Sequence, residues 1–331
     1  MHQFRTHAAA CALAAMLGTM CTTGSALAQD FVRAWPAKPV TVVIPFPPGG
    51  STEAEGRLYA QKLSDNLGKT FILDYKPGAS TTIGASFVAK ASPDGYTLLG
   101  TTTSYSLAAA FYPDLPYDYL KDITQLTMMT RRPPVLTVST KFPAKTPRAY
   151  IDYARAHPGK INFATTGSGG SPHIGGASLH GITNTQVTFL HYKGSAPLMA
   201  DHLAGRIDTT ITTFITAVPL HRAGKLRIVG TTAGERSPQF PEFPSMADAA
   251  PGYSHTSWWG FMAPGKMIPA LQARISAEMV KAGKDPEVSR RMTEDGAVMT
   301  LSTPDEFRKA IAGDVARLKK LASEHNIKAE E

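Results

Sequence analysis

Four stretches of this chain place glycine, serine and threonine where a β-like run gives way to a helix: 46–51, 78–84, 101–106 and 165–171. Such a junction exposes the first N–H groups of the helix and the positive end of its dipole. Glycines let a ligand approach that backbone closely, and hydroxyls add adaptable donors. Donors without a fixed cation suit a carboxylate or a phosphate. Any one such loop also reads as an ordinary strand-to-helix connection. Four of similar composition, in a chain without catalytic motifs, favour an anion site.

The catalytic motifs are indeed missing. The sequence contains no G-x-x-x-x-G-K-[ST], and no G-x-G-x-x-G with an acidic residue some 20 positions on. "TGSGG" lacks the first glycine of a nucleophile elbow. The histidines His157, His173, His180, His191, His202, His221, His255 and His325 are scattered and form no H-E-x-x-H. A metal site needs three or four convergent ligands, so none is expected. Glu53 and Glu55 lie two apart, on different sides of a helix, and read as partners of its dipole. The expectation is a protein that is not an enzyme and uses no cofactor.

The elements that must position these loops alternate. "VTVVIPF", "TFILDY", "TLLGTTT", "VLTVST", "KINFATT", "TQVTFLHY", "RIDTTITT" and "KLRIVGTT" read as strands, separated by helical stretches. That alternation predicts an α/β protein with largely parallel sheets. In "EGRLYAQKLSDNLG", Tyr59, Leu63 and Leu67 share a buried face and Gly68 marks the stop. Ser171 is expected as an N-cap with Pro172 at the first helical position. The last helix opens with a capping box, Thr303 and Glu306, and carries the stripe Phe307, Ile311, Val315, Leu318 and Leu321. "SHTSWWGFMAP" reads as an extended crossing segment.

Length favours two lobes. The expected division is 29–133 plus 253–331 for lobe 1 and 134–252 for lobe 2, with two hinge-crossing strands and a central cleft. Residues 1–28 read as a secretory leader: a basic start, an apolar run too short to span a membrane, and Ala26-Leu27-Ala28 as the cleavage signal. Removing 28 of the 331 residues leaves 303 and takes away both cysteines, Cys11 and Cys21. Of the formal net charge of +8, only Arg5 lies in the leader, so +7 remains. The charges are dispersed, with pairs such as Arg131-Arg132 rather than a basic stripe, so no nucleic-acid partner is expected. An exported, soluble, monomeric product follows as the expectation.

Several segments, taken in order, resemble a known family. "WPAKPVTVVIPFPPGGST", "GRLYAQKLSDNLGKTFILDYKPGAS", "IGASFVAKASPDGYTLL", "GKINFATTGSGGSPH", "YKGSAPLMADHLAGRID" and "AGKLRIVGTTAGERSPQFPEFPSMADA" are similar to the Bug family. These are periplasmic solute receptors of tripartite tricarboxylate transporters. The resemblance runs from about Trp35 to the C-terminus. It implies a two-lobed periplasmic-binding-protein fold of type II that closes on a small organic carboxylate without catalysis. The implied partners are the membrane components of such a transporter. A sensor that presents the acid to a signalling partner, or an enzyme on the same lobes, remains the alternative.

The resemblance also implies site residues. Pro48, Gly49, Gly50 and Ser51 match the loop that receives a ligand carboxylate. Thr166, Gly167, Ser168, Gly169, Gly170, Ser171 and His173 match the facing loop, and Thr102, Ser104 and Tyr105 complete the first wall. Lys193, in "YKGSAP", is either a contact or structural. Two positions depart from the family pattern: Glu53 stands where aspartate is usual, and Thr212-Thr213 where an Asp-Asn pair is common. Losing an acid there removes a partner for an ammonium, so the expected ligand is a carboxylic acid without an amino group. Phe46, Tyr105, Trp258 and Trp259 offer flat surface to an aromatic dicarboxylate. At most one of the two tryptophans should face the cleft, since neighbours on a strand alternate sides.

Overall fold

The computed structural model describes residues 29–325 apart from Gly49, Gly50, Pro113, Ser168, Gly169, Lys193, Gly194 and Asp295. The expected leader lies outside the described residues. The strands are β1 (Val40–Ile44), β2 (Phe71–Tyr75), β3 (Thr97–Thr102), β4 (Ile123–Arg132), β5 (Val135–Ser139), β6 (Asn162–Thr165), β7 (Thr188–His191), β8 (Thr209–Thr212), β9 (Leu226–Thr231), β10 (Ser257–Pro264) and β11 (Val298–Met299). They build two sheets, ordered β11-β4-β10-β3-β1-β2 and β7-β6-β8-β5-β9.

Both sheets follow one plan. In the first, β2, β1 and β3 run parallel and β10 lies antiparallel between β3 and β4. In the second, β7, β6 and β8 run parallel and β5 lies antiparallel between β8 and β9. The antiparallel strand is in each case the first after the chain has crossed between lobes. Two crossings therefore join a discontinuous first lobe to a continuous second one, as a type II binding-protein fold requires.

Strand chemistry explains the layers. Val42 and Val43, adjacent on β1, fall in different apolar clusters because alternate side chains point to opposite faces of the sheet. The first face packs Val42, Ile44 and Trp259 against Tyr59 and Leu63 of the helix Ser51–Leu67. The second packs Val43, Leu99 and Trp258 against Phe307 and Ile311 of the helix Pro304–His325. Each such fully buried large side chain contributes ~1.5–3 kcal/mol. Phe307, Ile311, Val315, Leu318 and Leu321 are all buried, and the Thr303–Glu306 capping box forms, Thr303 N–H donating to Glu306 Oε2 at 2.8 Å. The same stripe reaches the other lobe, where Leu318 and Leu321 pack on Ile174.

Three findings correct the sequence reading. β4 was not foreseen: "ITQLTMMTRR" shows no alternation because residues 125–130 are buried on both faces of the sheet. The N-cap of the helix Ser171–Ile182 is Gly170, without a side-chain bond, so the Ser171 hydroxyl is left for another partner. Tyr253, placed at the return to lobe 1, sits in the core of the second lobe and donates to Gly175 O at 3.1 Å. The chain re-enters the first sheet at Ser257.

Candidate functional site

A cleft of about 600 Å³ opens where both lobes meet. Four helices begin at its walls, each contributing residues of its first turns. From the first lobe come Thr52 and Glu55 of the helix Ser51–Leu67 and Ser104 of the helix Ser104–Phe111. From the second come Ser171 and Pro172 of the helix Ser171–Ile182, and Phe214, Ile215 and Thr216 of the helix Phe214–Arg222. The positive dipole ends and unsatisfied N–H groups of four helices thus converge on one space, which favours an anion.

Hydroxyls line the same walls. Thr102 accepts from Ser104 N–H at 3.3 Å, which turns the start of that helix toward the cleft. Thr213 caps the fourth helix through its backbone, and its Oγ1 lies 3.0 Å from Thr216 Oγ1. Ser171 Oγ lies 2.9 Å from His255 Nε2. Apolar surface comes from Phe46, Pro133, Pro134, Ile211, Phe214 and Ile215.

Among the described lining residues, charge enters the cleft as one pair. Glu55 is 3% exposed and accepts from Thr130 Oγ1 at 2.6 Å and from Arg132 Nη2 at 2.8 Å. Arg132 is the last residue of β4, directly before the Pro133-Pro134 crossing. The guanidinium also lies 3.4 Å from Met292 Sδ. Burial, together with the Glu55 charge, pushes the Tyr59 phenol well above its usual range. A carboxylate and a guanidinium so close neutralise each other, leaving the anion to the helix ends and hydroxyls.

Among the expected residues, the fold brings Phe46, Thr102, Ser104, Thr166, Ser171, Thr212 and Thr213 together on the cleft. Gly49, Gly50, Ser168, Gly169 and Lys193 lie outside the described residues, and nothing is described of the Ser51 side chain. Pro48 is an exposed turn residue away from the lining, and Gly170 is spent as the N-cap. Tyr105 is a correction: it is fully buried in the lobe 1 core, stacked on Tyr117, and donates to Tyr119 O at 2.7 Å. His173 is another, buried inside lobe 2 with its ring edge-on to Phe189 and His191 at 4.7 and 4.9 Å. Burial, with His191 beside it, lowers its pKa to about 4.

Glu53 turns away from the cleft, paired with Arg57 and accepting from Tyr75 Oη at 2.7 Å. Trp258 and Trp259 both belong to the cleft lining, yet they are nearly fully buried and their rings lie in the core clusters on opposite faces of the first sheet. The Trp258 indole donates to Asp314 Oδ2 at 3.1 Å, while Trp259 packs between Tyr59 and Phe261. Glu55, Arg132, Thr52, Thr216 and Ser257 are the polar lining residues that sequence reasoning missed. The crossing at Pro133-Pro134 was the one available signal for Arg132. No cluster of His, Cys, Asp and Glu suited to a metal occurs among the described residues, and no described helix is long and apolar enough to cross a membrane.

Two lobes of this topology, with hydroxyls and helix starts converging between them, define a solute-binding protein of the type II periplasmic class. The chain belongs to the family described as the tripartite tricarboxylate transporter family receptor, whose sequence model matches residues 56–327. It is 30% identical to Protein BugT of Bordetella pertussis over 308 residues, 92% of this chain and 94% of that one. A protein in the tcbD-tcbE intergenic region of Pseudomonas sp. strain P51 is 33% identical over 310 residues, 93% of this chain and 92% of its own. Among solved structures, R. palustris Rpa4515 with adipate superposes with a TM-score of 0.76 at 30% identity, covering 89% of this chain and 100% of that one. MatC of Rhodopseudomonas palustris with bound malate gives 0.71 at 28% identity, covering 87% and 99%. This is a family of periplasmic binding receptors rather than of enzymes.

Proposed function

We propose that this protein captures an organic carboxylate in the interlobe cleft by lobe closure and delivers it to the membrane components of a tripartite tricarboxylate transporter. The observation that carries the reading is the convergence of four helix starts, two from each lobe, on one hydroxyl-lined space. Closure lets the second pair of helix ends reach an anion already held by the first, so the ligand binds the closed state better than the open one. The ligand is a di- or tricarboxylate without an ammonium. The apolar faces of Phe46, Phe214 and Ile215 suit an aromatic dicarboxylate such as terephthalate. The bound adipate and malate of the related structures support the chemical class. Export to the periplasm, with cleavage after Ala28, and a monomeric receptor complete the reading.

A thermal-shift and calorimetric screen of aliphatic and aromatic acids tests it. One-to-one saturable binding of a carboxylate is expected. Binding confined to amino acids or cations would overturn it.

A further inference from the structure

His255 stands on the second crossing, two residues before β10, and is 3% exposed. Its position is over-determined. The backbone N–H donates to Thr232 O at 2.7 Å, and its own carbonyl accepts from Thr232 Oγ1 at 2.8 Å. The Thr232 hydroxyl also lies 2.9 Å from Pro134 O, on the other crossing. The ring rests directly on the backbone of the helix Ser171–Ile182: a Cβ added at Gly175 would stand 2.7 Å from His255 Cδ2 and 2.9 Å from Ile211 Cδ1. The imidazole is thus packed against the helix backbone, and Nε2 meets Ser171 Oγ at 2.9 Å.

A serine hydroxyl has one proton to give, and a carboxylate can only accept. A Ser171 that donates to Nε2 has no proton left for a ligand. A Ser171 that accepts from an Nε2–H does. We propose that His255 is the positioning residue of the anion site: as the Nε2–H tautomer it donates to Ser171 Oγ and frees the Ser171 proton for the ligand carboxylate. Burial supports a neutral ring with one proton to place: it lowers the His255 pKa to about 4, with the Arg317 charge acting in the same direction and a hydrogen bond to the Ser171 backbone opposing them. Binding and tautomer are then linked, because ligand and imidazole compete for the acceptor role toward one hydroxyl. The assignment rests on the carboxylate reading above.

The test uses the full chain without its leader, labelled with 15N at histidine, and adipate, malate and terephthalate as probes. Long-range 1H–15N spectra should show the His255 ring as Nε2–H once a probe saturates the protein. His255→Gln, which keeps an N–H donor at the corresponding reach, should bind within about threefold of wild type. His255→Leu should lose about tenfold or more. In a Ser171→Ala background, His255→Leu should cost nothing further, because the ring acts only through that hydroxyl. If His255→Leu fails to fold, the spectra and the Gln variant still decide. An Nδ1–H ring in the saturated protein, or a Gln variant as weak as the Leu variant, overturns the assignment while leaving carboxylate binding intact. Failure of all three acids to bind wild type overturns the carboxylate reading itself and the assignment with it.

Discussion

Glu55 and Arg132 form a 2.8 Å ion pair that ties the helix Ser51–Leu67 to the last residue of β4 at the edge of the cleft. The pair joins a cleft-lining helix to the strand that leads into the first crossing. Removing Arg132 leaves the buried Glu55 charge, still bonded to Thr130, without this counter-ion, which is more costly than replacing both. Arg132→Met should therefore destabilise the fold by about 3 kcal/mol. The double change Glu55→Gln with Arg132→Met should recover most of that loss. Urea denaturation of the two variants checks the order, and a double variant weaker than the single one would sink the argument.

Buried histidines give the stability a pH dependence of predictable sign. Burial lowers the pKa of His180 to about 3 and those of His173 and His255 to about 4. The unfolded chain titrates them near ~6.5, so between the two values it binds protons that the folded chain refuses. Their contribution is fully present above the unfolded value and is lost as pH falls toward the folded ones. At pH 5 unfolding should take up roughly three protons from this source. Unfolding free energies measured at pH 5, 6 and 7 should rise with pH. His173→Gln should make the slope shallower by about one proton.

How much of this site could be read from residues alone is clear from which neighbours reached it. The strand-to-helix loops at 46–51, 101–106 and 165–171 announced themselves by composition, and Phe46, Thr102, Ser104, Thr166 and Ser171 do line the cleft. Tyr105 and His173 do not, and helix geometry says why. One residue on from Ser104 the helix has turned about 100°, and two on from Ser171 about 200°, so both side chains face the interior. A loop motif locates a helix start but not the face of each residue beyond it. Arg132 was hidden for a different reason. β4 is buried on both faces and lacks the alternation that marks a half-buried strand. Glu55 then looked like a dipole partner, because its true partner lies 77 positions away on that unseen strand.

The hydroxyls of the two facing walls make a paired prediction. Ser104 belongs to lobe 1 and Thr166 to lobe 2, and neither is buried. On the carboxylate reading, Ser104→Ala and Thr166→Ala should each weaken binding by about tenfold, the scale of one hydrogen bond to a charged acceptor. Thermal stability should hardly change, since neither hydroxyl supports a core contact. Calorimetric titration of both variants checks this. A large loss from one wall alone would mean that the ligand binds to a single lobe and closure adds no contact.

Tyr105 supplies the opposite case. Its hydroxyl is buried, donates to Tyr119 O at 2.7 Å and stacks its ring on Tyr117, far from any lining role. Burial drives its pKa well above the usual phenol range, so the group stays a neutral donor throughout the working pH range. Tyr105→Phe keeps the ring and the stacking but leaves the half-buried Tyr119 carbonyl with the longer 3.4 Å bond from Gln125 Nε2. The cost of losing the shorter bond is about 1 kcal/mol of stability. Ligand affinity should stay within about twofold of wild type, because nothing at the helix start moves. Denaturation and calorimetry on one variant separate the two roles: lost affinity at unchanged stability would return Tyr105 to the binding wall.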